Sequence, residues 1–237
     1  MNFEAVIFDA DETIFNNQGI HEIIVELILE DLGLSTSLVD KLHSLWDAHY
    51  FIEQDRLVEE NGFCIDKDTN ANSLVKALKD IGVEISLEKA KEYWAYMIRE
   101  YSKKSKPYPD VLDLINLLDE KKIKMAIVSN GDQEIINLRL QNSNIDHHFK
   151  FVIAPCEEYP LSKPNLKIFT ESLDLLKTTA EKTIFIGDNP HSDIAGANNA
   201  GMFSVLIDRY HRVKDLTGEQ IPKLKIKTFK EMQYLFE

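Results

Sequence analysis

Two carboxylic acids stand two positions apart at the point where the first apolar run of the chain stops. Asp9 and Asp11 belong to the segment Asp9-Ala10-Asp11-Glu12-Thr13, which follows the apolar run from Phe3 to Phe8. In α/β proteins ligands bind at the carboxyl ends of strands, so this pair predicts a metal or proton-transfer site. An Asp-x-Asp pair is also common in turns and helix starts, because Asp caps helices and tolerates turn geometry. The pair alone leaves both interpretations open.

Three further polar segments follow apolar runs later in the chain. Ser129-Asn130-Gly131 offers a hydroxyl and backbone N–H groups, which suit an anion. Lys163, in Lys163-Pro164-Asn165, supplies a cation just before a predicted helix. Asp188 and Asp193 add two carboxylates around another helix start. Each segment alone is also typical of an ordinary turn or a solvated charge.

Four carboxylates, those of Asp9, Asp11, Asp188 and Asp193, are expected at two strand ends. Like charges so close together destabilise one another unless a hard cation and a cationic side chain neutralise them. Oxygen ligands suit Mg²⁺, and Lys163 is the candidate cationic side chain. A metal of this kind attracts phosphate, so the residues predict a Mg²⁺ site for a phosphorylated compound.

From Lys106 onward, the elements that position these residues alternate between short apolar runs and helix-period stretches, the pattern of βαβ units. Strands are predicted at Phe3–Phe8, Lys124–Val128, Phe151–Ala154, Thr183–Ile186 and Phe203–Ile207. Helices are predicted at Val111–Glu120, Gln133–Gln141, Leu166–Leu176 and Ile194–Ala200. The predicted fold class is α/β, with a doubly wound, mostly parallel, Rossmann-like sheet.

Residues 19–103 have a different pattern, with amphipathic helix periodicity and little strand signal. Helical stretches are predicted at Ile23–Leu32, Leu38–Trp46, Leu74–Ile81 and Leu87–Tyr101. Gly33 and Gly82 are expected to end two of these helices, and Ser86 to cap the last one. The large apolar side chains are expected to pack between helices. We therefore expect residues 1–18 and 104–237 to form a catalytic core, with 19–103 as a helical cap domain.

Composition excludes several partners. The 237-residue chain is 44% hydrophobic and carries a formal net charge of −13. Nucleic acid is not expected, since phosphate backbones are bound through clustered Lys and Arg. No apolar run approaches the roughly 18 residues that span a bilayer, and no signal-type segment is visible, so we expect a cytoplasmic protein without membrane contact. Cys64 and Cys156 are too few for a disulfide framework and are expected to be inert thiols.

In their order along the chain, the polar segments resemble the four motifs of the haloacid dehalogenase (HAD) superfamily of phosphohydrolases. The resemblance lies in Asp9-Ala10-Asp11-Glu12-Thr13, Ser129-Asn130, Lys163-Pro164 and Gly187-Asp188 with Asp193. The stretch from Asp193 to Met202 is also similar to the helix that follows the fourth motif in that superfamily. The resemblance covers the sheet domain nearly end to end, and the helical insertion matches the superfamily's cap in position and type.

The resemblance implies chemical roles for the acidic residues. Asp9 is expected to attack phosphorus and form an aspartyl-phosphate that water then hydrolyses. Asp11 is expected to give a proton to the leaving oxygen and later to take one from the water. Mg²⁺ is expected on the Asp9 carboxylate, the Asp11 backbone carbonyl and Asp188, with Asp193 binding it directly or through water.

The resemblance also implies how the phosphoryl group is held. Lys163 is expected to offset the negative charge between Asp9 and the phosphoryl group. The Ser129 hydroxyl and the backbone N–H groups of Asn130 and Asp11 are expected to hold the phosphoryl oxygens, where charge develops. These residues are therefore the predicted substrate-binding groups.

The expected activity is Mg²⁺-dependent hydrolysis of a small phosphorylated metabolite, with a nucleotide or sugar phosphate as the first guess. Asp11 favours ester hydrolysis over dehalogenation, since a halide leaving group needs no proton. A phosphomutase that uses the same aspartyl-phosphate stays open, although such enzymes often have Gly in place of Glu12. A signalling phosphoacceptor domain, a glycosyltransferase with an Asp-x-Asp metal site and a non-catalytic binding module are the alternatives from other classes. The long helical insertion disfavours the signalling domain.

Overall fold

The protein consists of two compact units. Its structure is a computed structural model that describes residues 2–61, 63–156 and 158–236. The first unit comprises Met1–Asn16, Lys106–Ala154 and Leu161–Glu237, and the second comprises Asn17–Ser105 and Pro155–Pro160. The main segment of the second unit therefore begins two residues before the expected residue 19 and ends two residues after the expected residue 103. The second unit also includes Pro155–Pro160, which the sequence predicts to be part of the core.

A sheet of six parallel strands forms the centre of the first unit. Its strands are β1 (Ala5–Phe8), β4 (Lys124–Val128), β5 (Phe149–Ile153), β6 (Thr183–Gly187), β7 (Phe203–Ile207) and β8 (Leu224–Ile226). Their order in the sheet is β5-β4-β1-β6-β7-β8. A separate antiparallel pair joins β2 (Phe15–Asn16) and β3 (Lys106–Pro107). The predicted α/β class with a parallel sheet is confirmed.

The inner strands β1, β4, β6 and β7 are almost continuous apolar runs, as expected of strands that are buried on both faces of a sheet. All of β1 is at most 1% exposed. The helices of this unit are α6 (Val111–Glu120), α7 (Gln133–Asn142), α8 (Leu166–Leu176) and α9 (Ala195–Asn199). Because β1 lies between β4 and β6, the segments that follow these three strands meet at one edge of the sheet.

The second unit is helical. Its helices are α1 (Ile20–Asp31), α2 (Val39–Asn61), α3 (Asp66–Asp80), α4 (Leu87–Glu92) and α5 (Trp94–Lys104). Gly33 and Gly82 have positive φ angles of 67° and 81°, as expected of residues that end helices. Trp46 is 1% exposed, and its indole N–H donates to the Asn70 carbonyl at 3.1 Å. The prediction that the large apolar side chains pack between helices is confirmed for Trp46.

Several helices begin or end at other residues than the sequence predicts. One helix was predicted from Leu87 to Tyr101, but it is broken at Tyr93, whose buried side chain donates to Asp31 at 2.7 Å. Helices α2 and α3 are much longer than predicted, because many of their added residues are polar and carry no apolar period. The predicted helix from Ile194 to Ala200 begins instead with a π-turn at Pro190–Ile194.

Other differences concern strands. The apolar run from Phe3 starts pairing only at Ala5, and β5 begins two residues before the predicted Phe151. Strands β2, β3 and β8 were not predicted, because two or three residues are too few to carry a usable alternation. Cys64 is buried and Cys156 half-buried, and neither forms a disulfide. Within the described residues, we find no helix that combines the length and the apolar character needed to cross a membrane.

Candidate active site

Asp9 stands at the carboxyl end of the central strand. Its backbone N–H donates to the Ile186 carbonyl at 2.8 Å, which continues the pairing of β1 with β6 by one residue. The chain then turns tightly, because the N–H groups of Ile14 and Phe15 both donate to the Ala10 carbonyl. This turn keeps the first motif against the end of the sheet, where the side chain of Asp9 is buried.

Lys163 lies between two carboxylates. Its ammonium nitrogen is 2.7 Å from Asp9 Oδ1 and 2.7 Å from Asp193 Oδ1. All three residues are at most 6% exposed. Because buried charges are strongly unfavourable unless paired, each of these groups depends on the others for its place in the fold. Three residues far apart in the sequence thus form one buried charge cluster, which we call the lysine cluster.

A third carboxylate, that of Asp188, gives the lysine cluster an excess of negative charge. Oxygens of Asp9, Asp188 and Asp193 lie within 4.8 Å of one another. Burial raises the pKa of the Asp9 carboxyl to about 7; Lys163 opposes this shift, and Asp193 reinforces it. Burial and the same neighbouring acids hold the pKa of Asp188 well above its ordinary value. Burial also lowers the pKa of Lys163, but the Asp193 and Asp9 carboxylates outweigh it and raise that pKa.

The carboxylate triplet fits a hard divalent cation. All three side chains offer oxygen atoms, which Mg²⁺ prefers, and one ammonium group cannot neutralise three carboxylates. Burial, followed by the charges of neighbouring acids, raises the pKa of Asp188, and burial also raises that of Asp9 against the opposing charge of Lys163. The donor set therefore fits a divalent metal ion.

A glycine makes room for Asp193. A Cβ atom at Gly187 would lie 2.2 Å from Asp193 Oδ2, closer than two such atoms can approach. The same oxygen accepts the backbone N–H of Asn189 at 3.0 Å. The Gly in Gly187-Asp188 is thus needed for the packing of the acidic loop. His191 in this loop is exposed.

Asn130 connects the Ser129 loop to Lys163. Its amide Nδ2 donates to the Lys163 carbonyl at 2.9 Å, and the Lys163 N–H donates to Asn130 Oδ1 at 2.8 Å. Ser129 is 1% exposed, and its hydroxyl accepts the Gly131 N–H at 3.2 Å. The expected role of Asn130 concerned its backbone N–H alone. Its side chain has a second role, since it fixes the backbone from which Lys163 projects.

Asp11 has a different environment from the other three acids. Its Oδ1 accepts a hydrogen bond from Arg139 Nη1 at 2.6 Å, and its side chain is 37% exposed. A Cβ atom at Gly131 would lie 2.8 Å from the other oxygen, Oδ2. The Asp11 carboxylate therefore lies between the guanidinium of Arg139 and the backbone of the Ser129 loop.

The structure brings five of the predicted residues together and links the others to them. Asp9, Lys163, Asp188 and Asp193 form the lysine cluster, and Asn130 contacts Lys163 directly. Ser129 follows the adjacent strand β4, and the side chain of Asp11 is outside the carboxylate triplet. The metal contact expected of Asp11 is made by its backbone carbonyl and not by its side chain. This contact stays a prediction.

Arg139 was missed by sequence reasoning. It lies on α7, where Ile136 and Leu140 are buried in the core, and it is itself only 1% exposed. Arg139 is three residues after Ile136 and one before Leu140, so the helical period places it on the buried side. A charged residue on an apolar helix face is a signal that could have identified it.

A second group was also missed. The hydroxyl of Tyr108 donates to Glu12 at 2.6 Å and lies 3.1 Å from the hydroxyl of Tyr210. Burial, followed by the hydrogen bond to Glu12, raises the pKa of Tyr108 above its usual range. The guanidinium of Arg209 lies 3.8 Å from the centre of the Tyr108 ring. Through the hydrogen bond to Glu12, this group contacts the turn of the first motif. Its members are far apart in the sequence, so no local sequence pattern indicates them.

Comparison with known proteins defines the class. The sequence pattern of the haloacid dehalogenase-like hydrolases matches residues 3–201. The chain is 27% identical to a glyceraldehyde 3-phosphate phosphatase of Methanopyrus kandleri, over 97% of this chain and 95% of that one. It is 26% identical to the pyrophosphatase PpaX of Anoxybacillus flavithermus, over 83% and 80% of the two chains. The structure superimposes on the HAD-hydrolase YfnB of Bacillus subtilis, bound to magnesium, with a TM-score of 0.83, 22% identity and full coverage of both chains.

The chain belongs to the haloacid dehalogenase-like hydrolase family. The resemblance drawn from the four motifs is thereby confirmed, and so is the prediction that the protein is a hydrolase. The likeness to YfnB confirms the fold that the motifs implied. Both curated relatives described above are named as enzymes that act on small phosphate compounds.

Proposed function

We propose that this protein is a Mg²⁺-dependent phosphatase that hydrolyses a small phosphorylated metabolite through an aspartyl-phosphate on Asp9. The observation that carries the proposal is the lysine cluster, where one buried ammonium group faces three carboxylates. Such an excess of buried negative charge needs a cation, and a metal-bound site of this kind attracts phosphate. The names of the curated relatives support a phosphate compound as substrate.

The carboxylates of Asp9, Asp188 and Asp193 and the backbone carbonyl of Asp11 would hold the Mg²⁺ ion. When bound, the ion supplies positive charge that neutralises the phosphoryl oxygens and the acidic side chains around them. The magnesium bound to YfnB, which shares the fold, supports this choice of metal. The carboxylate triplet, with its all-oxygen donors, gives independent support.

Catalysis would proceed in two displacements on phosphorus. An oxygen of Asp9 attacks phosphorus as the bond to the ester oxygen breaks, and Asp11 gives its proton to that leaving oxygen. Water then attacks the phosphorus of the aspartyl-phosphate, Asp11 takes a proton from the water, and the bond between phosphorus and Asp9 breaks. Inorganic phosphate leaves, and both acids return to their starting forms.

The remaining residues would bind the phosphoryl group. Lys163, already 2.7 Å from Asp9, would offset the charge that accumulates as Asp9 reacts. The Ser129 hydroxyl and the backbone N–H groups of Asn130 and Asp11 would hold the phosphoryl oxygens. The reciprocal bonds between Asn130 and Lys163 would keep these two parts of the site in register.

The substrate is proposed as a class. A sugar or nucleotide phosphate remains our proposal, and the curated phosphatase of M. kandleri adds a triose phosphate to the candidates. A panel of sugar phosphates, nucleoside 5′-monophosphates, glyceraldehyde 3-phosphate and pyrophosphate should be compared by kcat/KM. We expect one class to exceed the others by at least about tenfold, which corresponds to about 1.4 kcal/mol of transition-state binding. An equal response to all of them would contradict a dedicated metabolite phosphatase.

The mechanism is tested with 4-nitrophenyl phosphate and purified protein. We expect hydrolysis with Mg²⁺, none with excess EDTA, and none for Asp9→Asn, because an amide oxygen is a poor nucleophile. Asp208→Asn is the matched control, since Asp208 is another buried carboxylate at a strand end and pairs with Lys225 at 2.8 Å. Undiminished turnover by Asp9→Asn would refute the covalent mechanism, and phosphate transfer to an added sugar would indicate a phosphomutase.

A further inference from the structure

Arg139 has no part in the mechanism described above, yet it contacts one of its central residues. Its guanidinium is buried, and Nη1 donates to Asp11 Oδ1 at 2.6 Å. A buried ion pair is on average no more stabilising than apolar side chains of similar volume, because both charges lose their hydration. Stability alone therefore does not explain an arginine at this position.

The position of the guanidinium is tightly determined. Helix α7, which carries Arg139, is capped by the Asp132 carboxylate, which accepts the Ile135 N–H at 3.0 Å. Ile136 and Leu140 anchor the same helix in the core. The guanidinium carbon lies 4.6 Å from the centre of the Phe15 ring, which is fully buried. Arg139 is therefore a fixed point from which a hydrogen bond can orient another side chain.

The two oxygens of Asp11 face different surroundings. Oδ1 accepts the hydrogen bond from Arg139, and a guanidinium always donates because it has no acceptor atom. Oδ2 lies on the side of Gly131, in the loop whose hydroxyl and N–H groups are proposed to bind the phosphoryl group. The absence of a side chain at Gly131 allows this approach, since a Cβ there would be 2.8 Å from Oδ2. The carboxylate is thus held with one defined oxygen toward the phosphate loop.

We infer that Arg139 is a positioning residue for the proton transfers of the proposed phosphatase reaction. It holds Asp11 Oδ1, so that Oδ2 is the atom that transfers the proton in both displacements. In the first, the proton moves from Oδ2 to the leaving oxygen as the bond from that oxygen to phosphorus breaks. In the second, Oδ2 takes a proton from the attacking water. The inference rests on the proposed function and adds to it a residue that never touches the substrate.

The test compares two substrates that differ in their need for a proton. Phenyl phosphate releases a phenol that is a weak acid and needs protonation, while 4-nitrophenyl phosphate releases a stable phenolate. The second-order constant kcat/KM reports the step in which the leaving group departs. We expect Arg139→Met to lower kcat/KM for phenyl phosphate at least about tenfold more than for 4-nitrophenyl phosphate, since a positioned general acid contributes about 10²–10⁴-fold. The ratio of the two constants is unaffected by any unfolded fraction.

Two further variants separate positioning from general damage. In Asp11→Asn protein, adding Arg139→Met should leave the ratio unchanged, because Arg139 acts only through Asp11. Arg56→Met is the matched control, since Arg56 also pairs with a buried carboxylate, that of Glu53 at 2.5 Å, but in the helical unit. It should lower the unfolding temperature without altering the ratio. Arg139→Lys should restore part of the ratio, because an ammonium still donates to Oδ1.

The outcomes distinguish this inference from the proposed function. If the wild type hydrolyses both phosphates and Arg139→Met lowers both constants equally, the positioning role is refuted and the phosphatase stands. If the wild type hydrolyses neither ester with Mg²⁺ present, the proposed function fails, and the inference fails with it. The ratio could also change when Arg139→Met is added to the Asp11→Asn protein. That result would refute an action through Asp11, because the acid through which Arg139 is proposed to act is then absent.

Discussion

Each unit of the protein contains a buried charge cluster, and the two clusters are opposite in composition. In the sheet unit, the cation Lys163 is paired with Asp9 and Asp193, and Asp188 is close by. In the helical unit, the carboxylate of Glu53 is 1% exposed and pairs with Arg56 and Lys76, whose side chains are 43% and 44% exposed. One cluster has three acids around one buried cation, and the other has one buried acid with two cations that stay in contact with water.

The pKa values express this difference. The hydrogen bond from Arg56 lowers the pKa of Glu53 and burial opposes it, so the folded protein favours the charged form of that acid. The pKa of Asp9 moves in the other direction, to about 7. A cluster whose acid is easier to ionise in the fold is complete by itself. A cluster whose acids resist ionisation is kept in place by the surrounding fold. A further cation would stabilise the ionised acids of such a cluster, and this is typical of a binding site.

The largest expected effect is that of Lys163→Met. Removing the ammonium group leaves adjacent buried carboxylates without their common partner, which should lower the free energy of unfolding by about 3–5 kcal/mol. We also expect at least a thousandfold loss of kcat/KM for 4-nitrophenyl phosphate, about 4 kcal/mol of transition-state stabilisation. Urea unfolding and steady-state kinetics measure the two effects. A variant with wild-type stability would show that the buried carboxylates do not depend on Lys163 as their common partner.

The next effect concerns pH and Mg²⁺ together. Because the pKa of Asp9 is raised in the fold, its contribution to stability is full below about pH 4 and is lost as pH rises through about 7. A shift from 3.8 to about 7 corresponds to at most about 4 kcal/mol, at about 1.36 kcal/mol per unit. Mg²⁺ should restore stability at pH 7, by about 2.7 kcal/mol at one hundred times its Kd. Thermal unfolding with Mg²⁺ or EDTA measures this.

Asp188→Asn is the control for the Mg²⁺ experiment. It removes one oxygen ligand of the carboxylate triplet and some of the repulsion, so it should raise metal-free stability while weakening the stabilisation by Mg²⁺. An equal response to Mg²⁺ in this variant and in the wild type would contradict the assignment of Asp188 as a ligand.

The smallest effect is expected for Glu53→Gln. The cations it leaves behind are nearly half exposed and stay hydrated, so the free energy of unfolding should fall by only about 1–2 kcal/mol. Since the pKa of Glu53 is lowered in the fold, its stabilisation is present above its ordinary value of 4.5 and is lost as pH falls through the lowered value. The variant should therefore lose less stability on acidification than the wild type in thermal unfolding. A change in the response to Mg²⁺ would contradict the assignment of the Mg²⁺ site to the carboxylate triplet alone.

The limits of strands and helices were predicted correctly where a local apolar pattern determines them. The limits of β4, β7, α6 and α8 coincide with the predicted ones, because buried strands and amphipathic helices have a clear apolar pattern. Prediction failed where long-range contacts decide. Tyr93, where the predicted helix is interrupted, donates a hydrogen bond to Asp31, and α2, which is longer than predicted, packs against α3. No window of neighbouring residues contains that information.

The sequence by itself determined five of the six strands of the sheet, the four polar segments at the strand ends and the family to which they belong, because apolar periodicity and acidic spacing are local properties of the chain. Only the tertiary structure decided which charges meet. Lys163 approaches Asp9 across 154 positions, and Arg139 approaches Asp11 across 128. Pairing across such separations is set by strand order and helix packing, so the difference in surroundings between Asp9 and Asp11 arises only once the sheet has formed.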